Sequence, residues 1–134
     1  MTPETAKDIQ EWLDYAWTDY DVAVFLYENH RPQPLEIICY HCQQAAEKAI
    51  KALYMALELP GGIPRKHDLS FLLNQMQTRI SIPAEIRRHA DSLSVYGIAA
   101  RYPAEIPIDE SRTILAIRAA KAILDWAKDN AQKL

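Results

Sequence analysis

Apolar residues recur at three- and four-residue spacing along most of this chain, and no stretch alternates apolar and polar residues for long. That period is helical, so the chain can bury its apolar surface only by packing helices on one another. Glycine is confined to Gly61, Gly62 and Gly97. Thr2-Pro3-Glu4 opens a first helix, with proline in the turn that tolerates it. Ile9, Trp12, Leu13, Ala16, Trp17, Tyr20, Ala23, Val24 and Tyr27 then form one stripe, while Asp8, Glu11, Asp14, Thr18 and Asp21 lie off it. Val22, Phe25 and Leu26 interrupt the polar side and call for cover from another element or a second subunit. Arg31-Pro-Gln-Pro34 ends this helix and starts the next.

The second helix carries a broad apolar face of Ile38, Cys42, Ala45, Ala46, Ala49, Ile50, Leu53 and Leu57, with Tyr40, Gln44, Glu47, Lys48 and Lys51 opposite. Pro60-Gly-Gly-Ile-Pro64 is a break. Asp68, or His67 before it, caps a short third helix with Leu69, Leu72, Leu73 and Met76 inward. Pro83 opens a fourth helix on Ile86, Ala90 and Leu93. The segment from Tyr96 to Ile108 lacks helical spacing, and Asp109 opens a last helix with Leu115, Ala119, Ala122, Ile123 and Trp126 as its stripe. Ile114, Ile117 and Leu124 form a second apolar set on that helix, suited to self-association. Short breaks favour antiparallel neighbours, so the expected fold is an all-α, up-and-down bundle of four or five helices forming one domain over residues 1–134.

With 134 residues, 49% apolar and 25% charged, the chain can build an ordinary core unaided. A net charge of −3 provides no overall field for holding nucleic acid, so any such contact needs a local patch. No apolar run is long enough for a membrane span, and the first residues lack the order of a secretory leader, so a cytoplasmic protein is expected. Cys39 and Cys42 flank His41, but no second ligand cluster exists, and both cysteines fall on the apolar face. They are read as core thiols suited to a reducing compartment, with neither metal nor cofactor expected. Glycine-rich phosphate loops, His-Glu-x-x-His and Gly-x-Ser-x-Gly are absent.

Two features carry chemistry. Gln44, Glu47, Lys48 and Lys51 are neighbours on one helical strip, which is either a binding strip or a solvent-facing ion pair. The long connection holds Arg101, whose fork suits phosphate or carboxylate, and Tyr102, with an aromatic face and a hydroxyl. Its structural alternative is a clasp in which Arg101 ties the connection to a helix terminus or to Glu47. His67 is either a ligand-facing imidazole or part of a helix cap.

Trp12 on an acidic first helix, Gln43-Gln-Ala-Ala-Glu-Lys-Ala-Ile-Lys51, Lys66-His-Asp-Leu69 and Ala100-Arg-Tyr-Pro103 occur in an order that resembles the HEPN domain family, from about residue 9 to 127. The resemblance implies a helical bundle that usually forms a homodimer and stands beside a small nucleotidyltransferase in prokaryotic toxin–antitoxin or stress systems, with nucleotide or RNA as ligand. It also implies ligand-binding roles for Gln44, Glu47, Lys48, Lys51, His67, Arg101 and Tyr102. Many members are metal-independent ribonucleases with an arginine followed about four to six residues later, more than one helical turn, by a histidine. No arginine here has a histidine at that spacing. The leading expectation is therefore a module that binds a phosphate-bearing ligand and pairs with a nucleotidyltransferase. A ribonuclease working at a dimer interface, or a dimerising adaptor without a small ligand, is the alternative, and catalysis is left open.

Overall fold

The computed structural model describes residues 2–99 and 107–134, among which there are six helices and no strand. The helices are α1 (Pro3–Asn29), α2 (Leu35–Ala56), α3 (Leu69–Met76), α4 (Ala84–Ser94), the single turn α5 (Tyr96–Ala99) and α6 (Glu110–Gln132).

Local chemistry explains where they start. The Thr2 hydroxyl accepts from the Thr5 amide at 3.1 Å, with Pro3 just inside α1. The Asp68 carboxylate accepts from the Ser70 and Phe71 amides at 3.0 and 3.3 Å, and Asp109 accepts from the Arg112 amide at 2.8 Å. Each satisfies donors that the first turn of a helix leaves without an intrahelical partner. Between α2 and α3, Gly61 and Gly62 both take positive φ, which a side chain would strain.

Helix α2 is the hub and packs against α1, α3, α4, α5 and α6. It is buried on nearly all sides, with Ile38, Ile50 and Leu53 fully enclosed. Alanines at its contacts (Ala45, Ala46, Ala49 on α2; Ala16 and Ala23 on α1; Ala116, Ala120 and Ala127 on α6) let the backbones approach closely. Helix α6 runs antiparallel to α1. The Tyr27 hydroxyl donates to Glu110 at 2.8 Å at one end, while Leu13 and Trp17 share a cleft with Lys128 and Ala131 at the other.

Two expectations are corrected. The buried face of α6 is Thr113, Ala116, Ala119, Ala120, Ile123, Leu124 and Ala127, whereas Leu115 is 61% exposed. Leu124 thus lies in the core and not on a surface set with Ile114 and Ile117. Helix α6 is wedged among α1, α2 and α4, so its inward direction is set by three neighbours and differs from the stripe its own periodicity favours. The connection after α4 also begins with a helical turn, α5, because the Tyr96 ring is buried in the core and anchors it. No helix among the described residues is long and apolar enough to cross a membrane.

Candidate functional site

Successive turns of α2 present Gln43, Glu47 and Lys51 at four-residue intervals. They do not face water: Glu47 is 5% and Lys51 7% exposed, against the expectation of a polar strip opposite the core. The cause is tertiary. The segment leading into α3 lies over this side of α2, and α1 brings Trp12 against Lys51.

A buried carboxylate must be compensated or it loses more in desolvation than it gains. Here Lys51 Nζ donates to Glu47 Oε2 at 3.1 Å and Gln43 Nε2 donates to Oε1 at 3.2 Å. His67 Nδ1 lies 2.9 Å from the same Oε2. The Gln44 amide in turn donates to Gln43 Oε1 at 2.7 Å. The Lys51 ammonium also stands 6.0 Å from the centre of the Trp12 ring, within range of its π face. Among the described residues no buried side-chain nitrogen or oxygen lacks a hydrogen-bond partner.

His67 differs from the rest in being outward: its side chain is 75% exposed. An ionised carboxylate only accepts, so Nδ1 carries the hydrogen of this bond and Nε2 is left toward solvent. The Asp68 cap fixes the backbone immediately after it. The result is an accessible imidazole whose orientation is set by a buried carboxylate, with Nε2 free to accept a proton and, once protonated, to donate to an anion.

Next to this cluster, Asp19 of α1 accepts from His41 Nδ1 at 3.0 Å and from Lys48 Nζ. Lys48 and Lys51 therefore each have a carboxylate partner, on different helices. On the other flank Gly97 of α5 sits on Gln43, where an added methyl would stand 3.4 Å from Gln43 Cδ. The structure thus brings Gln44, Glu47, Lys51 and His67 into one connected network, with Lys48 in the adjacent Asp19 pair. Arg101 and Tyr102 lie outside the described residues.

Gln43, Asp19 and His41 were not among the expected site residues. Gln43 opens the Gln43–Lys51 run that carries the family resemblance. Asp19 stands seven residues beyond Trp12, hence on the flank of the buried stripe, which is the signal that marks it.

Cys39 and Cys42 are fully buried, and Cys39 Sγ donates to Thr113 Oγ1 at 3.6 Å. Burial pushes the Cys39 thiol up to about 11 and raises Cys42 as well, so both are protonated near neutrality. Among the described residues no three His, Cys, Asp or Glu side chains gather as a metal ion would require.

No curated protein sequence matches the chain. Two solved structures resemble it over nearly its whole length. TT1696 from Thermus thermophilus is 25% identical, with a TM-score of 0.75 over 91% of this chain and 97% of its own. ST0689, described as an archaeal HEPN homologue, is 26% identical, with a TM-score of 0.68 over 92% of this chain and 97% of its own. The sequence model of the HEPN domain matches residues 9–130, a span that begins at the first buried residue of α1 and takes in the whole Gln43–Glu47–Lys51–His67 network. This chain therefore belongs to the HEPN domain family.

Proposed function

We propose that this HEPN protein binds a nucleotide or another phosphate-bearing ligand beside the Glu47–His67 pair, and that it works with a nucleotidyltransferase in a toxin–antitoxin or stress system. The observation that carries this reading is His67, an exposed ring held by a carboxylate that is itself buried and compensated. A surface histidine without a task needs no such support. Once protonated at Nε2, His67 offers a donor for a phosphate oxygen, and Arg101 and Tyr102 are assigned a fork and a stacking face for the same ligand. Gln44, Glu47 and Lys51 hold the imidazole's base in place. Lys48 stands half-buried at the edge, where its pair with Asp19 leaves it less charge to offer the ligand than an unpaired lysine.

Calorimetric titration with ATP and with a short single-stranded RNA tests the ligand. Binding that falls on His67→Ala and on Arg101→Ala is expected, and equal affinity in both variants overturns the reading. Mass spectrometry of proteins retained by the tagged chain in its native host tests the partner. A stoichiometric nucleotidyltransferase is expected.

The second reading, a metal-independent ribonuclease, is favoured by the same geometry of His67. Its Nε2 would take the proton of a ribose 2′-hydroxyl as that oxygen attacks phosphorus, with Arg101 stabilising the developing charge and Tyr102 available for the leaving oxygen. RNA cleavage in excess EDTA that disappears in His67→Ala supports it, and cleavage retained by that variant points to a contaminant. Self-association is proposed through Val22 and Phe25 of α1, which remain 37% and 63% exposed. Light scattering should give twice the 15.3 kDa chain mass, and a 15.3 kDa species at every micromolar concentration overturns this.

A further inference from the structure

The outer groove between α1 and α2 has a different character from the His67 site. It encloses about 480 Å³ and is lined by Asp8, Glu11, Trp12, Tyr15, Lys48 and Met55. Asp8, Glu11, Trp12 and Tyr15 follow one another at helical spacing along a single strip of α1. Tyr15 is 65% exposed although aromatic, and neither Asp8 nor Glu11 has an ion-pair partner among the described residues. Among the described residues, the one cation lining the groove, Lys48, is committed to Asp19. The nearby Lys51 ammonium is committed to Glu47 and lies against the Trp12 ring, so this ring already accommodates an ammonium.

The geometry points to a docking groove for a basic segment of a partner protein, with an arginine or lysine side chain placed between Asp8 and Glu11 over the Tyr15 and Trp12 rings. Charge complementarity selects this occupant. Along α1, Lys7 is the only basic residue against Glu4, Asp8, Glu11, Asp14, Asp19, Asp21 and Glu28. A phosphate-bearing strand is repelled by such a face. A second copy with its two-fold axis through this groove would bring Asp8 and Glu11 against their own counterparts, a like-charge contact. The groove is open, whereas a small cation is ordinarily held by a pocket that surrounds it. Met55 and the aromatic rings supply an adaptable apolar floor for the stem of a long cationic side chain. The proposal does not rest on the ligand reading for His67, since Asp8, Glu11 and Tyr15 take no part in that network.

The test is fluorescence anisotropy with a labelled amidated peptide alternating arginine and leucine, run beside the same peptide with glutamate for arginine and beside a single-stranded RNA oligonucleotide. The proteins are wild type, an Asp8→Lys, Glu11→Lys double variant, and Tyr15→Ala, all changed at exposed positions and checked for unaltered melting. The arginine peptide should bind wild type and lose about tenfold or more in affinity in both variants, as expected when carboxylate and cation–π contacts are removed. Equal affinity for all three proteins overturns the proposal. So does a loss confined to the charge reversal, which would mark nonspecific attraction. RNA binding that depends on Tyr15, or a change of oligomeric state in the double variant without peptide binding, assigns the groove to those occupants instead.

Discussion

His67 Nδ1 lies 2.9 Å from Glu47 Oε2, joining a ring that is 75% exposed to a carboxylate whose side chain is 6% exposed. The bond crosses the boundary between core and surface, so its two ends respond differently to substitution. His67→Ala removes a largely solvated partner and should cost well under about 1 kcal/mol of stability. Lys51→Met leaves Glu47 buried without its cation and should cost about 3 kcal/mol or more. Adding Glu47→Gln to Lys51→Met should recover much of that loss, since a neutral amide no longer needs the ammonium. Urea unfolding of the four proteins measures the set. A double variant no more stable than Lys51→Met alone would show that packing, and not charge, holds the pair.

The thiols make the fold sensitive to alkaline pH in one direction. Burial raises the folded-state pKa of Cys39 to about 11, above its unfolded value, so the folded chain holds the proton more tightly. Stability from this group is complete below about pH 8.5 and is lost as pH rises from there toward about 11, amounting to about 3 kcal/mol. Unfolding measured at several pH values in that window should show a shallower decline in Cys39→Ala than in wild type. At pH 8, Ellman's reagent should leave both cysteines untouched until denaturant is added. Rapid reaction in native buffer would contradict their burial.

Asp68 does two jobs: it caps α3 and fixes the chain on which His67 sits. Asp68→Ala should lower stability by about 1 kcal/mol, while Asp68→Asn and Asp68→Ser should restore most of it. Removing the cap should also loosen His67, so ligand affinity is expected to fall in Asp68→Ala and recover in Asp68→Asn. An Asp68→Ala protein as stable as wild type would mean that packing of Leu69, Leu72 and Leu73 alone defines the start of α3.

Much of the bundle is legible in the sequence because its signals are local. Thr2-Pro3, Asp68, Pro83 and Asp109 mark helix starts through capping and proline chemistry that need no knowledge of the tertiary fold. The apolar face of α2 is equally clear from Ile38 to Leu57. Periodicity fails where a side chain's environment is made by a distant segment. Glu47 and Lys51 fall by their spacing on the polar side of α2, as a binding strip or a solvent-facing pair, yet His67, twenty positions after Glu47, comes back over Glu47. Asp19 is one carboxylate among many on α1 until α2 supplies His41 and Lys48. Leu115 and Leu124 exchange roles for the same reason, because the inward direction of α6 is decided by α1, α2 and α4 together.

That exchange is itself measurable. Leu124 is fully buried, so Leu124→Ala should cost between about 2 and 5 kcal/mol through lost burial and the cavity left behind. Leu115→Ala, on a side chain 61% exposed, should change stability by less than about 0.5 kcal/mol. Thermal melts of the two variants decide between this register of α6 and the one its own periodicity favours. The periodicity-based register requires Leu115→Ala to be the costlier change.

Gly97 tests whether the network extends from α2 to α5. In a helix, alanine for glycine ordinarily gains about 0.5–1 kcal/mol. Here the new methyl would stand 3.4 Å from both Cδ and Oε1 of Gln43, a buried side chain already tied to Glu47 and Gln44. The methyl fits only if Gln43 gives slightly, so Gly97→Ala should fall short of the full helical gain. Gly97→Leu cannot be accommodated without pushing Gln43 off Glu47 Oε1, and should destabilise by about 1–3 kcal/mol. Combining Gly97→Leu with Gln43→Ala should relieve part of that cost, because the space vacated by the amide receives the new side chain. If the two changes add independently, α5 does not press on Gln43 in solution, and the turn that leads into residues 100–106 is mechanically separate from the Glu47–His67 pair.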